Sequence, residues 1–275
     1  MTDDLPALLS DHSSRPLRVA LIGFGAVGQG VARLLRAHAC QHVELVAALV
    51  RDQSRPRSID PPRLVSTVEV LLAERPDVVV EVAGHEALSC HGPQVLRAGM
   101  DLLLISIGAL ARTEVEDALR DAARAGGARA QLVSGAIGGL DAIASAAIGG
   151  LDSVVHTTRK PARALLPPDE AEALTEPREL FRGSAREGVL RFPESVNVAA
   201  AVSFAGLGLA RTQLCVIADP RIERNQHEVV AEGTFGMLRF EIRGIPSEDN
   251  PRSGRIVAMS VVHALHRRLA WLQIG

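Results

Sequence analysis

Tyrosine is absent from this 275-residue chain, tryptophan occurs once (Trp271), and aromatic residues make up only 3% of it. A tyrosine hydroxyl acting as general acid is thereby excluded, and with it the Tyr-x-x-x-Lys arrangement of short-chain dehydrogenases. Lysine is almost as scarce. Of 30 basic residues only Lys160 is a lysine, so any lysine chemistry has a single candidate. The three cysteines, Cys40, Cys90 and Cys215, are odd in number and widely spaced, with no CxxC pair. That pattern argues against a zinc ribbon, another metal site or a disulfide framework, and for a reducing, cytoplasmic compartment. Charge is nearly balanced, with a formal net charge of −2 and a pI near 6.5, without the basic excess of a nucleic-acid binder. No stretch reaches the roughly 20 apolar residues of a bilayer span. The first 16 residues carry Asp3, Asp4 and Asp11 and lack the basic and apolar regions of a secretory signal. The expectation is a soluble protein that partners neither nucleic acid nor membrane.

What is present is ordinary for a globular chain: 47% hydrophobic and 23% charged residues, enough for one large domain or two modest ones. Residues 17–23, LRVALIG, form an apolar, β-branched run ending in glycine, as a buried parallel strand does. Helical spacing follows to about Ala39, with Val27, Val31, Leu34 and Leu35 on one face. Strands at 43–50, 77–82, 101–106 and 129–134 then alternate with helices near 67–74, 86–98 and 112–125. This is the pattern of βαβ units, and it predicts an α/β, Rossmann-type doubly wound parallel sheet. Beyond Ser134 the pattern changes. A glycine-flanked helix at 138–150, a strand at 153–159, a Pro-rich stretch at 161–177 and an apolar helix at 195–209 precede strands at 212–219, 224–234 and 236–243. Consecutive strands predict a second α+β domain on a mostly antiparallel sheet. The expected division is residues 1–136 for dinucleotide binding, 137–250 for substrate and catalysis, and 251–275 as a helix returning to the first domain. In that helix Ile256, Met259, Val262, Leu265 and Leu269 share a face.

The strongest motif is Gly23-Phe24-Gly25-Ala26-Val27-Gly28. GxGxxG alone is weak, but here it closes a strand, opens a helix and heads a βαβ unit. Gly23 suits the tight turn, Gly25 lets backbone approach a pyrophosphate, and Gly28 lets helix and strand pack closely. The helix N-terminus then offers unpaired N–H groups to phosphates. The competing reading is a glycine-rich turn with no ligand. Asp52 lies where an acidic residue takes the ribose hydroxyls of NAD, but Arg51 beside it suits the phosphate of NADP, so both cofactors stay open. Asp52 also reads as a solvated loop residue.

Hydride transfer needs an acid/base group and a means of holding substrate. Among nine histidines, His12, His38, His42, His263 and His266 read as surface residues, and His85 and His91 as loop or helix residues. Periodicity does not choose among His85, His156 and His227. Lys160 ends the strand TTRKP, where it would face a cleft and meet a carboxylate, whereas Arg159 would point to the opposite side. A solvated surface lysine is the alternative.

The segments SGAIGGLDA (134–142), HTTRKP (156–161), FPESVNVAAAVSFAGLG (192–208), NQHEVVAEG (225–233) and DNPRSG (249–254), with the GFGAVG opening, resemble the L-aspartate dehydrogenases. The resemblance spans the chain beyond residue 16. It implies oxidation of L-aspartate to iminoaspartate with NAD or NADP, or amination of oxaloacetate in reverse, with the imine feeding nicotinamide-nucleotide biosynthesis or hydrolysing. It places the acid/base histidine on His227 and cofactor contacts on Ala136 and Asn197. A helix cap is the other reading of Asn197, a role Ser195 could fill. The opening motif is also similar to homoserine dehydrogenases, and a non-catalytic dinucleotide sensor would keep the glycine loop alone. An exposed second-domain sheet makes a homodimer the expected assembly.

Overall fold

The structure is a computed structural model that describes residues 15–37, 42–192, 197–247, 250 and 253–273. His12, His38, Cys40 and Ser195, with parts of the FPESV and DNPRSG stretches, lie outside the described residues. The chain forms two compact units, one of Met1–Val133 with Val257–Gly275 and one of Ser134–Ile256.

In the first unit the order is β1 (Leu17–Ile22), α1 (Ala26–Ala37), β2 (Val43–Leu49), β3 (Arg63–Val65), α2 (Val68–Ala73), β4 (Val78–Glu81), α3 (His85–Arg97), β5 (Asp101–Leu104), α4 (Thr113–Gly126) and β6 (Ala130–Leu132). The strands make one parallel sheet in the order β3-β2-β1-β4-β5-β6, the Rossmann-type arrangement that the βαβ alternation predicts. Val19–Ile22, Val78–Val80 and Leu102–Leu104 are all at most 1% exposed, as strands covered on both faces must be. The three-residue β3 is not legible in the sequence, because it follows directly on the Pro- and Arg-rich loop.

The helix of the C-terminal segment is presented differently from its expected face. Met259 is 49% exposed, whereas Val257, Ala258, Val261, Val262, Ala264 and Leu265 are buried. The small residues decide this rotation. A Cβ built on Gly30 of α1 would come within 3.0 Å of the Ala258 methyl, so the two helices meet where both side chains are minimal. An ion pair between Arg268 and Asp101, at 2.9 Å, fixes the far end.

The second unit runs α5 (Leu140–Gly149), β7 (Leu151–Pro161), α6 (Pro168–Ala173), β8 (Arg178–Ser184), α7 (Ala185–Arg191), α8 (Asn197–Ala205), β9 (Gln213–Asp219), β10 (Gln226–Gly233) and β11 (Gly236–Arg243). The helix of the C-terminal segment, α9, is Ile256–Leu269. The strand order is β11-β10-β7-β9-β8, antiparallel except for the central β7–β9 pair, which makes the sheet mixed. A parallel pair needs a crossover connection, and the long segment between β7 and β9 supplies one. That segment holds β8 and α7, which hydrophobic periodicity does not announce. A local signal is nonetheless present: Ser184 and Glu187 form a reciprocal capping box at the start of α7. One face of the sheet is apolar near its middle, where Val154, Val229 and Ala231 pack with Ile137, Ile143, Val198 and Val202.

Candidate functional site

In the first unit the glycine motif forms the turn from β1 into α1. Gly23 has φ +100°, and a Cβ there would lie 2.8 Å from the Ala83 methyl, so the turn is both left-handed and tightly abutted. A Cβ on Gly28 would meet the Gly23 carbonyl oxygen at 2.7 Å, which closes helix onto turn. Around Gly25 a Cβ would meet nothing within 4 Å. Phe24 is buried, Gly25 is exposed, and Ala26 and Val27 are half-buried. An open, side-chain-free approach at the N-terminus of a 12-residue helix fits a pyrophosphate, which the first-turn N–H groups would hold.

Asp52 is exposed, and its Oδ1 accepts hydrogen bonds from the Ser54 amide at 2.8 Å and the Ser54 hydroxyl at 2.6 Å. These contacts hold its carboxyl below the usual range and commit one oxygen to its own turn. Arg51 is exposed beside it.

Glu81, at the carboxyl end of β4, is a residue that the motifs do not single out. Its side chain is fully buried and faces only donors: the amides of Ala83 (2.7 Å) and Gly84 (2.8 Å), the Ser106 amide (3.1 Å) and the Ser106 hydroxyl (2.9 Å). Burial pushes its carboxyl pKa up, and the four donors pull against that. Glu81 thus fixes the Ala83–Gly84 turn that abuts Gly23. A charge inside the run DVVVEV is its one signal in the sequence.

The second unit gathers the other polar residues on the covered face of its sheet. Alternation along β7 turns Val154, His156, Thr158 and Lys160 to one side, and along β10 it turns His227, Val229 and Ala231 to the same side. His227 pairs with Thr158, and His156 with Val229. The rings of His156 and His227 therefore come from diagonal positions and meet, Nε2 to Nδ1, at 3.3 Å. Their centroids are 5.4 Å apart and their planes 23° from parallel. Burial, aided by the positive charge of Lys160, lowers the His227 pKa to about 4, so the imidazole is neutral at pH 7. Burial, then His227 and Lys160, push His156 well below the ordinary histidine range. Lys160 is only 8% exposed and is no solvated surface lysine. Arg159 points to the opposite side and pairs with Asp219 at 2.9 Å. His156 Nδ1 and Thr158 Oγ1 are buried with no hydrogen-bond partner among the described residues. Of the three histidines left open by periodicity, two stand together here, and His85 opens α3 in the other unit.

Ala136 follows Gly135, whose φ is +62°, in the turn after β6 and packs against the apolar cluster. Asn197 is the first residue of α8, directly before the cluster member Val198. His227 and His156 each lie two residues from a cluster member, Val229 and Val154, so one core supports all four positions.

Two family models divide the chain at the same change of pattern. One described as "Homoserine dehydrogenase, NAD binding domain" matches residues 23–132, and one described as "Aspartate dehydrogenase, C-terminal" matches residues 141–268. L-aspartate dehydrogenase 2 of Bordetella bronchiseptica is 42% identical, the match covering 94% of this chain and 99% of that protein. The chain belongs to the L-aspartate dehydrogenase family. The L-aspartate dehydrogenase of Ruegeria pomeroyi is 44% identical, with 92% of each chain covered. The solved aspartate dehydrogenase of Thermotoga maritima shares the fold, with a TM-score of 0.78 at 24% identity over 94% of this chain and 99% of that one. The likeness of the opening motif to homoserine dehydrogenases thus describes the nucleotide-binding half that the families share. NAD(P) is the cofactor of this family's nucleotide-binding domain, and the glycine turn fits it. Among the described residues no helix is long and apolar enough to cross a membrane, and no cluster of His, Cys, Asp and Glu could hold a metal ion.

Proposed function

We propose that the protein oxidises L-aspartate to iminoaspartate with NAD or NADP and aminates oxaloacetate in reverse, with Ser134–Ile256 as the substrate unit and the remainder as the cofactor unit. The observation that carries this reading is the buried group of His227, His156, Thr158 and Lys160 on a sheet face that is apolar near its middle. The cofactor supplies the acceptor for the hydride from the substrate α-carbon. His227, neutral at pH 7, is the base that takes a proton from the substrate ammonium; once that proton has passed to solvent, it is again the base for water attack on the imine. Lys160 binds a substrate carboxylate, and Thr158 Oγ1 offers it a hydroxyl that no described group uses. Burial is the main cause of the His227 depression, and a carboxylate at Lys160 offsets only the smaller part that the Lys160 charge adds, raising basicity where it is used.

Gly23 to Gly28 hold the pyrophosphate, Ala136 gives close backbone access to the nicotinamide half, and Asn197 supplies an amide to it. Asp52 or Arg51 reads the ribose edge. The imine feeds nicotinamide-nucleotide biosynthesis in the cytoplasm, from a homodimer whose exposed β11 edge carries Met237, 62% exposed. A screen of L-aspartate and L-homoserine against both cofactors, read as reduced nicotinamide, tests the activity. Turnover of homoserine, or cofactor binding with no turnover of either amino acid, would refute it. His227→Ala should lower kcat by about 100-fold or more while leaving NADH affinity within about twofold; an unchanged kcat removes His227 from the reaction.

A further inference from the structure

The two imidazoles meet at a place where the sheet has no structural need of them. Apart from Thr158 and Lys160, their neighbours on the same face, Val154, Val229 and Ala231, and the paired β9 residues Leu214 and Val216, are apolar and at most 1% exposed. Aliphatic side chains at 156 and 227 would continue the apolar part of that surface and bring no unmet polar atom of their own. Instead His156 is fully buried, and its Nδ1 has no partner among the described residues. Buried polar atoms left unmet in this way call for an explanation outside packing.

We infer that His156 is the positioning residue of this site, holding His227 through Nδ1 so that Nε2 is the nitrogen presented to substrate. The inference deepens, and rests on, the reading of His227 as the proton-transfer group. The contact at 3.3 Å occupies Nδ1 of His227, so only Nε2 is left to exchange a proton. For Nε2 to accept one, it must be bare, and the ring's own proton must sit on Nδ1. That proton is then donated to Nε2 of His156, which acts as a neutral acceptor. When His227 takes a proton from the substrate it becomes an imidazolium with both nitrogens protonated, and the Nδ1–H bond to His156 becomes charge-assisted. No further proton moves: His156 keeps its single proton on Nδ1, the atom that no described group meets. The unmet atom follows from using His156 as an acceptor toward His227.

Three variants and one spectrum test this. His156→Leu removes the acceptor and preserves burial, and His156→Gln offers an amide oxygen near the position of Nε2. His156→Leu should lower kcat by about 100-fold, with KM for aspartate and NADH affinity by fluorescence within about threefold. His156→Gln should recover at least about tenfold of that loss, which a merely structural residue would not show. Histidine-selective 15N NMR of the whole protein, with the His227 signals assigned by their loss in His227→Ala, reads the tautomer without turnover. The expected wild-type spectrum has a protonated Nδ1 and a bare Nε2. In His156→Leu it should move to the Nε2–H form that an unrestrained imidazole prefers in water. A wild-type His227 protonated on Nε2, or a folded His156→Leu protein with unchanged kcat, overturns the inference. If kcat survives in His227→Ala, it is the assignment of His227 that fails, and the inference falls with it.

Discussion

Glu81→Gln tests whether the carboxyl edge of the parallel sheet is held by a buried acceptor. Every group that faces Glu81 is a donor: the amides of Ala83, Gly84 and Ser106, and the Ser106 hydroxyl. Glutamine has nearly the same shape but only one acceptor oxygen. With that oxygen kept toward Ala83, Gly84 and the Ser106 hydroxyl, the new NH2 group faces the Ser106 amide, donor against donor. The Ser106 bond is lost and a buried N–H is left unmet, a penalty of about 1–3 kcal/mol. The bonds that survive lose their ionic partner and weaken. Together these effects predict a destabilisation of about 2–4 kcal/mol. Glu81→Leu removes every acceptor and should exceed about 4 kcal/mol. The assay is urea denaturation, with the midpoint and slope recorded separately. Because the Ala83–Gly84 turn abuts Gly23, NADH affinity should weaken by about tenfold or more in the folded Gln variant. A Glu81→Gln protein as stable as wild type, with unchanged NADH affinity, would show that the carboxylate organises neither loop.

The buried histidines predict a pH effect with a definite sign. His227 is depressed to about 4 in the folded protein, so between its unfolded pKa near 6.5 and about 4 the unfolded chain binds more protons. Its contribution, about 3 kcal/mol, is therefore complete above pH 6.5 and lost as pH falls toward 4. Urea titrations of wild type and His227→Leu across this window should show the variant losing less stability; parallel curves would contradict the assignment. Gly28→Ala drives a methyl against the Gly23 carbonyl oxygen at 2.7 Å, so cofactor affinity should fall at least about tenfold, as measured by NADH fluorescence titration. Lys160→Met keeps the apolar stem and removes the charge; KM for aspartate should rise by about 10- to 100-fold, from a charge-assisted contact of about 1.5–3 kcal/mol. Wild-type kinetics there would separate Lys160 from substrate binding.

The sequence by itself determined the parallel sheet, the glycine turn from β1 into α1 and the change of architecture after Ser134. Each is written locally: an apolar run such as Val78–Val80 can only be a strand buried on both faces, and Gly23, Gly25 and Gly28 act within one turn of chain. Alternation along β7 likewise suffices to turn Lys160 and Arg159 to opposite sides. Long-range pairing is not legible in that way. His156 and His227 are 71 residues apart, and their contact exists only because β7 and β10 pair in a register that sets His227 opposite Thr158. A slip of one residue would turn His227 to the other face. The same holds for Glu81, whose partner Ser106 lies beyond the neighbouring strand β5, and for α9, whose buried side is chosen by the close approach of Gly30 and Ala258 rather than by its own apolar spacing. Periodicity fixes which residues a strand or helix buries together. The register and the close contacts between elements decide which of those residues meet, and that depends on side chains far apart in the chain.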